Sequence, residues 1–115
     1  RLSMTRVTFY TDGARITGFD AAGHSGYAAA GEDILCASVS AAVTLVEATV
    51  NDVLGLAAAV KVDEAAASVS LRLPGGLDEV AETASQSLLT GLMLYFTTLH
   101  DSFPENIEVL EADVP

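Results

Sequence analysis

Val7 and Phe9 alternate with Arg6 and Thr8, a period of two that predicts a half-buried strand over residues 5–10. Asp12-Gly13 is a hairpin turn pair, so residues 14–20 should return alongside it. The phase of that second strand slips at Gly18-Phe19, where a bulge is expected. The period then changes. Val39, Val43, Val46, Val50 and Val53 recur at three- and four-residue steps, one face of a helix over residues 33–54 closed by Gly55. Valine loses rotamer freedom in a helix, so packing must help hold this one.

Residues 59–63 and 68–73 read as a second hairpin, with Val69, Leu71 and Leu73 alternating before Pro74-Gly75-Gly76 breaks the pattern. A second helix follows over residues 78–101. Val80, Ala84, Leu88, Leu92, Tyr95 and Leu99 share a face, and Leu89, Met93 and Phe96 widen it beyond the needs of one core. Core packing is the first use of such a stripe, and a dimer interface would absorb the excess. Pro104 stops the helix and residues 107–110 form a last short strand. The order ββαββαβ, dominated by hairpins, predicts an α+β domain: a mainly antiparallel sheet with both helices packed on it.

Composition narrows the class. A chain of 115 residues fits one domain spanning residues 1–115, with Arg1-Leu2-Ser3 ahead of Met4 read as a cloning remnant. Half the residues are apolar and no tract is of low complexity, which argues for a folded chain. No uninterrupted apolar run nears the ~18 residues of a membrane span, and no export signal precedes the first strand. The expectation is a cytoplasmic protein with no membrane partner and a reduced thiol. Sixteen acids against five scattered bases give a formal charge of −11, which opposes nucleic-acid binding and favours a basic protein or peptide partner.

The chemistry lies between the first hairpin and the first helix. Gly23-His24-Ser25-Gly26-Tyr27-Ala28-Ala29-Ala30-Gly31-Glu32-Asp33-Ile34-Leu35-Cys36 holds the lone cysteine and one of two histidines. With Asp33 as N-cap, Cys36 falls in the first helical turn, where unpaired amides and the dipole favour thiolate. The neighbouring carboxylates of Glu32 and Asp33 oppose that, so a charged His24 close to the sulfur is needed to tip the balance. Composition alone leaves other readings open, since a lone cysteine is commonly a small buried apolar residue and glycine clusters are commonly turns. Cys36, His24 and Asp33 fall short of a tetrahedral zinc set, so no metal site and no cofactor are expected. No G-x-S-x-G occurs, which gives no support to a serine nucleophile. His100, near the end of the second helix, suits that helix's negative pole and is given no catalytic role.

Gly23-His24, then Gly31, Asp33-Ile34-Leu35-Cys36-Ala37 and Ser40, resembles the motif of the ribosomal-processing cysteine protease (Prp, YsxB-like) family. Ser25 and Leu35 stand where that pattern has alanine and valine. The similarity continues through Asn51, Gly55-Leu56 and Glu105-Asn106-Ile107, so it covers nearly the whole chain. The resemblance implies a cytoplasmic, homodimeric cysteine endopeptidase. Its substrate would be a basic protein of the large ribosomal subunit, which loses an N-terminal extension by a cut after an aromatic pair. It implies Cys36 as nucleophile and His24 as general base, on a loop that hinges at Gly23, Gly26 and Gly31. Asp33 is a candidate to orient His24 or to cap the helix, Ser40 a supporting residue one turn after Cys36, and Tyr27 a candidate substrate contact or loop anchor. The alternative is a non-catalytic dimeric module that binds a ribosomal protein during assembly.

Overall fold

The computed structural model describes residues 4–23 and 30–114, the side chains of 30–33 excepted. Five strands form one sheet: β1 (Thr5–Asp12), β2 (Arg15–Ala22), β3 (Ala59–Asp63), β4 (Ser68–Arg72) and β5 (Ile107–Asp113), in the order β3-β4-β2-β1-β5. Two helices, α1 (Ala30–Glu47) and α2 (Glu79–Ser102), complete the α+β fold in the order the alternations imply. Three pairings are antiparallel, and β5 lies parallel to β1. Two connections, β2 to β3 and β4 to β5, join strands that run parallel, and the helices supply the crossovers: α1 carries the chain from β2 over β4 to β3, and α2 from β4 over β2 and β1 to β5.

The expected bulge is present. Tyr10 pairs with Gly18 but Thr11 with Ile16, leaving Thr17 as the extra residue. Gly18 is obligatory there, because a Cβ would lie 2.1 Å from the Leu71 carbonyl oxygen. The bulge turns Phe19 inward against Phe9, which also meets Phe96 of α2; the ring centroids are 5.7 and 6.2 Å apart. Val7, Phe9, Phe19, Ala21, Leu71 and Ile107 present the apolar face of the sheet. The opposite face is polar: Tyr10 donates to Asp20 (2.8 Å), Arg72 pairs with Asp20 (2.9 Å) and stacks over the Tyr10 ring, and Arg6 pairs with Glu108.

α2 is firmly placed. The Asp78 carboxylate accepts from the Ala81 amide (2.8 Å), the cap that fixes its start. Gln86 trades two hydrogen bonds with the backbone of Ile16 (2.7 and 2.8 Å), and Arg15 bridges Glu82 (2.7 Å) and the Pro74 carbonyl (2.8 Å). His100 Nδ1 lies 2.6 Å from the Ile107 carbonyl, so that nitrogen carries the proton and ties the last turn to β5.

The apolar stripe of α2 is oriented differently from expectation. Leu89, Leu92, Phe96 and Leu99 are buried, together with Ser85, while Val80 is 80% and Tyr95 41% exposed. The sheet takes the Leu89–Phe96 side, and Leu88 and Tyr95 turn toward α1. In α1 the buried set is Leu35, Val39, Val43 and Val46, continued by Val50; Val53 is 75% exposed. The reason is a change of pitch. After Glu47 the chain forms a π-helical turn over Ala48–Val53, with Leu54 N–H donating to the Thr49 carbonyl (2.8 Å), which rotates residue 53 off the stripe. Ile34–Val53 has a mean hydropathy of 1.6 and is long and apolar enough to cross a membrane, although Ser38, Ser40, Thr44, Glu47, Thr49, Asn51 and Asp52 interrupt its apolar run. Here it is amphipathic, with its valine stripe in the core.

Candidate functional site

α1 begins at Ala30, three residues before the expected cap, so Cys36 is its seventh residue and lies in the second turn. Its amide is therefore inside the helical ladder rather than at the tip, and the dipole's influence has largely faded there. The Cys36 amide is thus no candidate oxyanion donor. Any activation of the sulfur must come mainly from a neighbouring group.

Helical geometry decides which way that sulfur looks. At ~100° per residue, Cys36, Ser40, Val43 and Glu47 fall within a sector of about 60°. This sector is set off from the core stripe of Leu35, Val39 and Val46, and lies nearly opposite Ile34, Ala41 and Leu45. Cys36 is half-buried, as a residue at the margin of the core should be. Its side of α1 faces the β3–β4 hairpin across a groove of about 400 Å³. Val39, Ser40, Val43 and Glu47 form one wall, and Val62, Asp63, Glu64, Ala67 and Val69 the other. Ser40 is exposed on that wall. The Ser38 hydroxyl donates back to the Ile34 carbonyl (2.8 Å).

The far wall leads back to the other half of the expected pair. At the end of β2 the Gly23 amide donates to the Ala67 carbonyl (3.2 Å). Gly23 has φ +90°, and a Cβ on it would sit 2.4 Å from the Met4 carbonyl oxygen. No other residue fits that backbone and that space. Gly23 is thus fixed between β1 and the hairpin turn, one position before His24. His24, Gly26 and Tyr27 lie outside the described residues, as does the side chain of Asp33. Ser40 lines the groove, Cys36 lies one turn before it on the same sector of α1, and Gly23 is bonded to Ala67 of the opposite wall.

Larger hollows lie elsewhere, two of them much larger. One, of about 960 Å³, is a shallow depression between β2, β3 and β4 lined by Asp20, Lys61 and Ser70. The other, of about 770 Å³, is an apolar groove between α1 and α2 lined by Ile34, Ala41, Leu45, Leu88, Gly91 and Tyr95. Size does not select the site; neither hollow is faced by the thiol's side of α1. Among the described residues no cluster of His, Cys, Asp and Glu could hold a metal ion.

The family model of the cysteine protease Prp matches residues 4–108. The chain belongs to the Prp cysteine protease family. The ribosomal processing cysteine protease Prp of Bacillus subtilis is 27% identical over 94 residues, 82% of this chain and 84% of that protein. A Streptococcus mutans crystal structure superposes with a TM-score of 0.86 at 21% identity, covering 97% of each chain. The Staphylococcus aureus Prp, an essential ribosomal processing protease solved with a substrate peptide, superposes with a TM-score of 0.75 at 21% identity, covering 95% of this chain and all (100%) of that one. At these identities the structural matches establish the fold, and the family model establishes a cysteine peptidase.

Sequence reasoning missed the hairpin wall. Ala67 sits in a Glu-Ala-Ala-Ala-Ser run with no glycine, asparagine or proline to mark a turn, yet its φ is +50°. Asn51, noted only for its resemblance, has a physical role. Its side chain trades two hydrogen bonds with the Ala58 backbone (2.7 and 3.2 Å), which fixes the chain entering β3 and hence that wall.

Proposed function

We propose that this Prp-family peptidase is an endopeptidase that removes the N-terminal extension of a large-subunit ribosomal protein, with His24 and Cys36 as its dyad. The observation that supports the reading is one groove: Ser40, a turn after Cys36 on the same sector of α1, lines one wall, and Ala67 of the other wall accepts from the amide of Gly23, the residue before the histidine. In this mechanism His24 takes the Cys36 proton and the thiolate attacks the scissile carbonyl carbon. The tetrahedral oxyanion collapses, the C–N bond breaks, and the amine leaves with the proton from His24. Water, deprotonated by His24, then cleaves the thioester and returns the free thiol. Because Cys36 lies past the first turn, the His24 imidazolium is the main stabiliser of the thiolate. Asp33, inside the first turns of α1 and so no longer its cap, orients His24, and Ser40 lines the path of the substrate. The loop hinges at Gly26, between Gly23 at the end of β2 and Gly31 in the first turn of α1, with Tyr27 contacting substrate.

The surplus of acids, −11 overall, attracts a basic ribosomal protein and repels nucleic acid. The protein works in the cytoplasm as a homodimer. The α1–α2 groove is its interface, because Ile34 and Leu45 are 60% and 65% exposed beside Tyr95 on an otherwise apolar surface.

The test is a peptide spanning the ribosomal protein's own N-terminus, incubated with enzyme and followed by mass spectrometry. One cut by the wild type, absent in Cys36→Ala and His24→Ala, is the expected result. Tight binding of the intact peptide with no cut would favour the non-catalytic assembly module instead.

A further inference from the structure

We propose that the outer edge of β5 is a docking rail for an extended basic segment of the protein substrate, away from the scissile bond; the choice of a ribosomal-protein substrate rests on the reading above. Thr5 N–H donates to the Asn106 carbonyl (2.8 Å) and Val114 N–H to the Thr11 carbonyl (2.9 Å). In a parallel ladder of this register the amides and carbonyls of Glu108, Leu110 and Ala112 turn toward β1, and those of Val109, Glu111 and Asp113 turn away. β5 ends the strand order, so no strand among the described residues meets that second set. Ile107, at its start, is covered: its N–H donates to the Phe103 carbonyl (3.2 Å) and its carbonyl accepts from His100 (2.6 Å). Edge strands commonly carry a guard against pairing, and lysine is a frequent one. β3, at the opposite edge, is 5 residues long with Lys61 at its centre. β5 runs 7 residues and has no lysine, arginine or proline.

Beside this edge a groove of about 450 Å³ runs between α2 and β5. Met93, Leu94 and Thr97 form its helix side, and Val109 and Glu111, two residues apart on one face of the strand, its sheet side. A strand added to β5 would lay every second side chain over the groove. An apolar side chain there meets Met93, Leu94 and Val109, and the next on the same face reaches Glu111. Charge decides the occupant. Glu111 and Asp113 are exposed on the edge, Glu105 is exposed in the turn before it, and Asp101 lies one turn past Thr97 on α2. The remaining acid of the strand, Glu108, is paired with Arg6. A second copy of this chain, pairing edge to edge, would set these carboxylates against their own counterparts, and like charges across a ladder disfavour pairing. A basic segment meets the opposite sign. The pattern that fits is an apolar residue, any residue, then lysine or arginine.

The experiment compares KM for the intact ribosomal protein, extension included, with KM for the isolated extension peptide. In the wild type the intact protein should have a KM about tenfold lower or more, because only it carries the docking segment. Glu111→Lys should shrink that preference about fivefold by raising KM for the intact protein. Val109→Pro, which removes an outward amide and blocks the edge, should shrink it similarly. Asp52→Lys changes the net charge equally but lies just before β3, at the opposite edge of the sheet, and should keep the wild-type preference. Should Val109→Pro fail to fold, the exposed Glu111→Lys decides. In amide NMR spectra of the Cys36→Ala protein, addition of the intact ribosomal protein should shift Val109, Glu111 and Asp113 above the rest of the sheet.

Equal KM for intact protein and peptide in the wild type, or a Glu111→Lys protein that keeps the full preference, would overturn the proposal. So would an effect of Asp52→Lys as large as that of Glu111→Lys, which would mean long-range attraction without a docking edge. The parent reading fails separately. If the wild type cuts neither substrate, the Cys36/His24 assignment falls and the NMR titration alone decides the docking edge: shifts concentrated on β5 support it, and their absence overturns it.

Discussion

The two helices cross the same sheet, yet they are held in different ways. α2 carries a carboxylate cap at Asp78, a reciprocal amide exchange between Gln86 and Ile16, an Arg15–Glu82 ion pair and the His100–Ile107 bond. α1 rests on the sheet through its valine stripe, and just beyond its end Asn51 grips Ala58. Ile34 and Leu45 remain largely exposed on its outer side. The contrast matches a division of labour. The polar-pinned helix is the scaffold; the helix held by packing carries the thiol and borders both grooves. A reacting group beside a groove benefits from neighbours that can adjust, whereas the frame under it does not.

The largest expected effect is on chemistry alone. Cys36→Ala or His24→Ala should lower kcat/KM by about 10⁴-fold or more while the melting temperature stays nearly unchanged, read from peptide cleavage and calorimetry. Loss of folding in either variant would mean that the α1 side is structural after all. Next comes the core under α2. Phe96→Ala removes the ring that meets Phe9 and should cost about 4 kcal/mol in urea denaturation, with Cys36 reactivity retained in the folded fraction. Gly18→Ala at the bulge should cost about 3 kcal/mol by the same measurement, since its Cβ would collide with the Leu71 carbonyl.

Smaller effects sharpen the contrast. Gln86→Ala breaks two bonds to Ile16 and should lower stability by about 1–2 kcal/mol with little effect on kcat. Ser40→Ala should change stability by no more than about 0.5 kcal/mol, its effect falling on KM. The smallest sits on the polar face. Asp20 accepts the Tyr10 hydroxyl and raises its pKa above the ordinary phenol value. The folded state therefore holds that proton more tightly. The associated stability is complete below pH ~10 and fades as pH climbs through the raised value. Tyr10→Phe should abolish that alkaline fall in a titration of the unfolding midpoint.

Much of this was legible in the chain. The β3 boundaries follow from alternation alone, and α2 from the Asp78 cap and Pro104, because these signals are local. The side of the α2 stripe that meets the core was not legible, since Leu88, Leu89, Tyr95 and Phe96 are equally apolar and only the sheet's shape selects among them. Residue 53 departed because a π-helical turn shifts the phase without any marker in composition. At the site, Cys36 and Gly23 were visible as chemistry and as a glycine before a histidine. Ala67 was not, because its contribution is a carbonyl direction, which no side chain encodes.

The most direct test of the account is acid-quenched mass spectrometry of the wild-type enzyme during turnover of the ribosomal-protein peptide. The account predicts a transient thioester in which the N-terminal fragment is carried on the Cys36 tryptic peptide, lost on hydroxylamine treatment. Peptide cleavage that continues at an undiminished rate in Cys36→Ala, with no such adduct in the wild type, would contradict it.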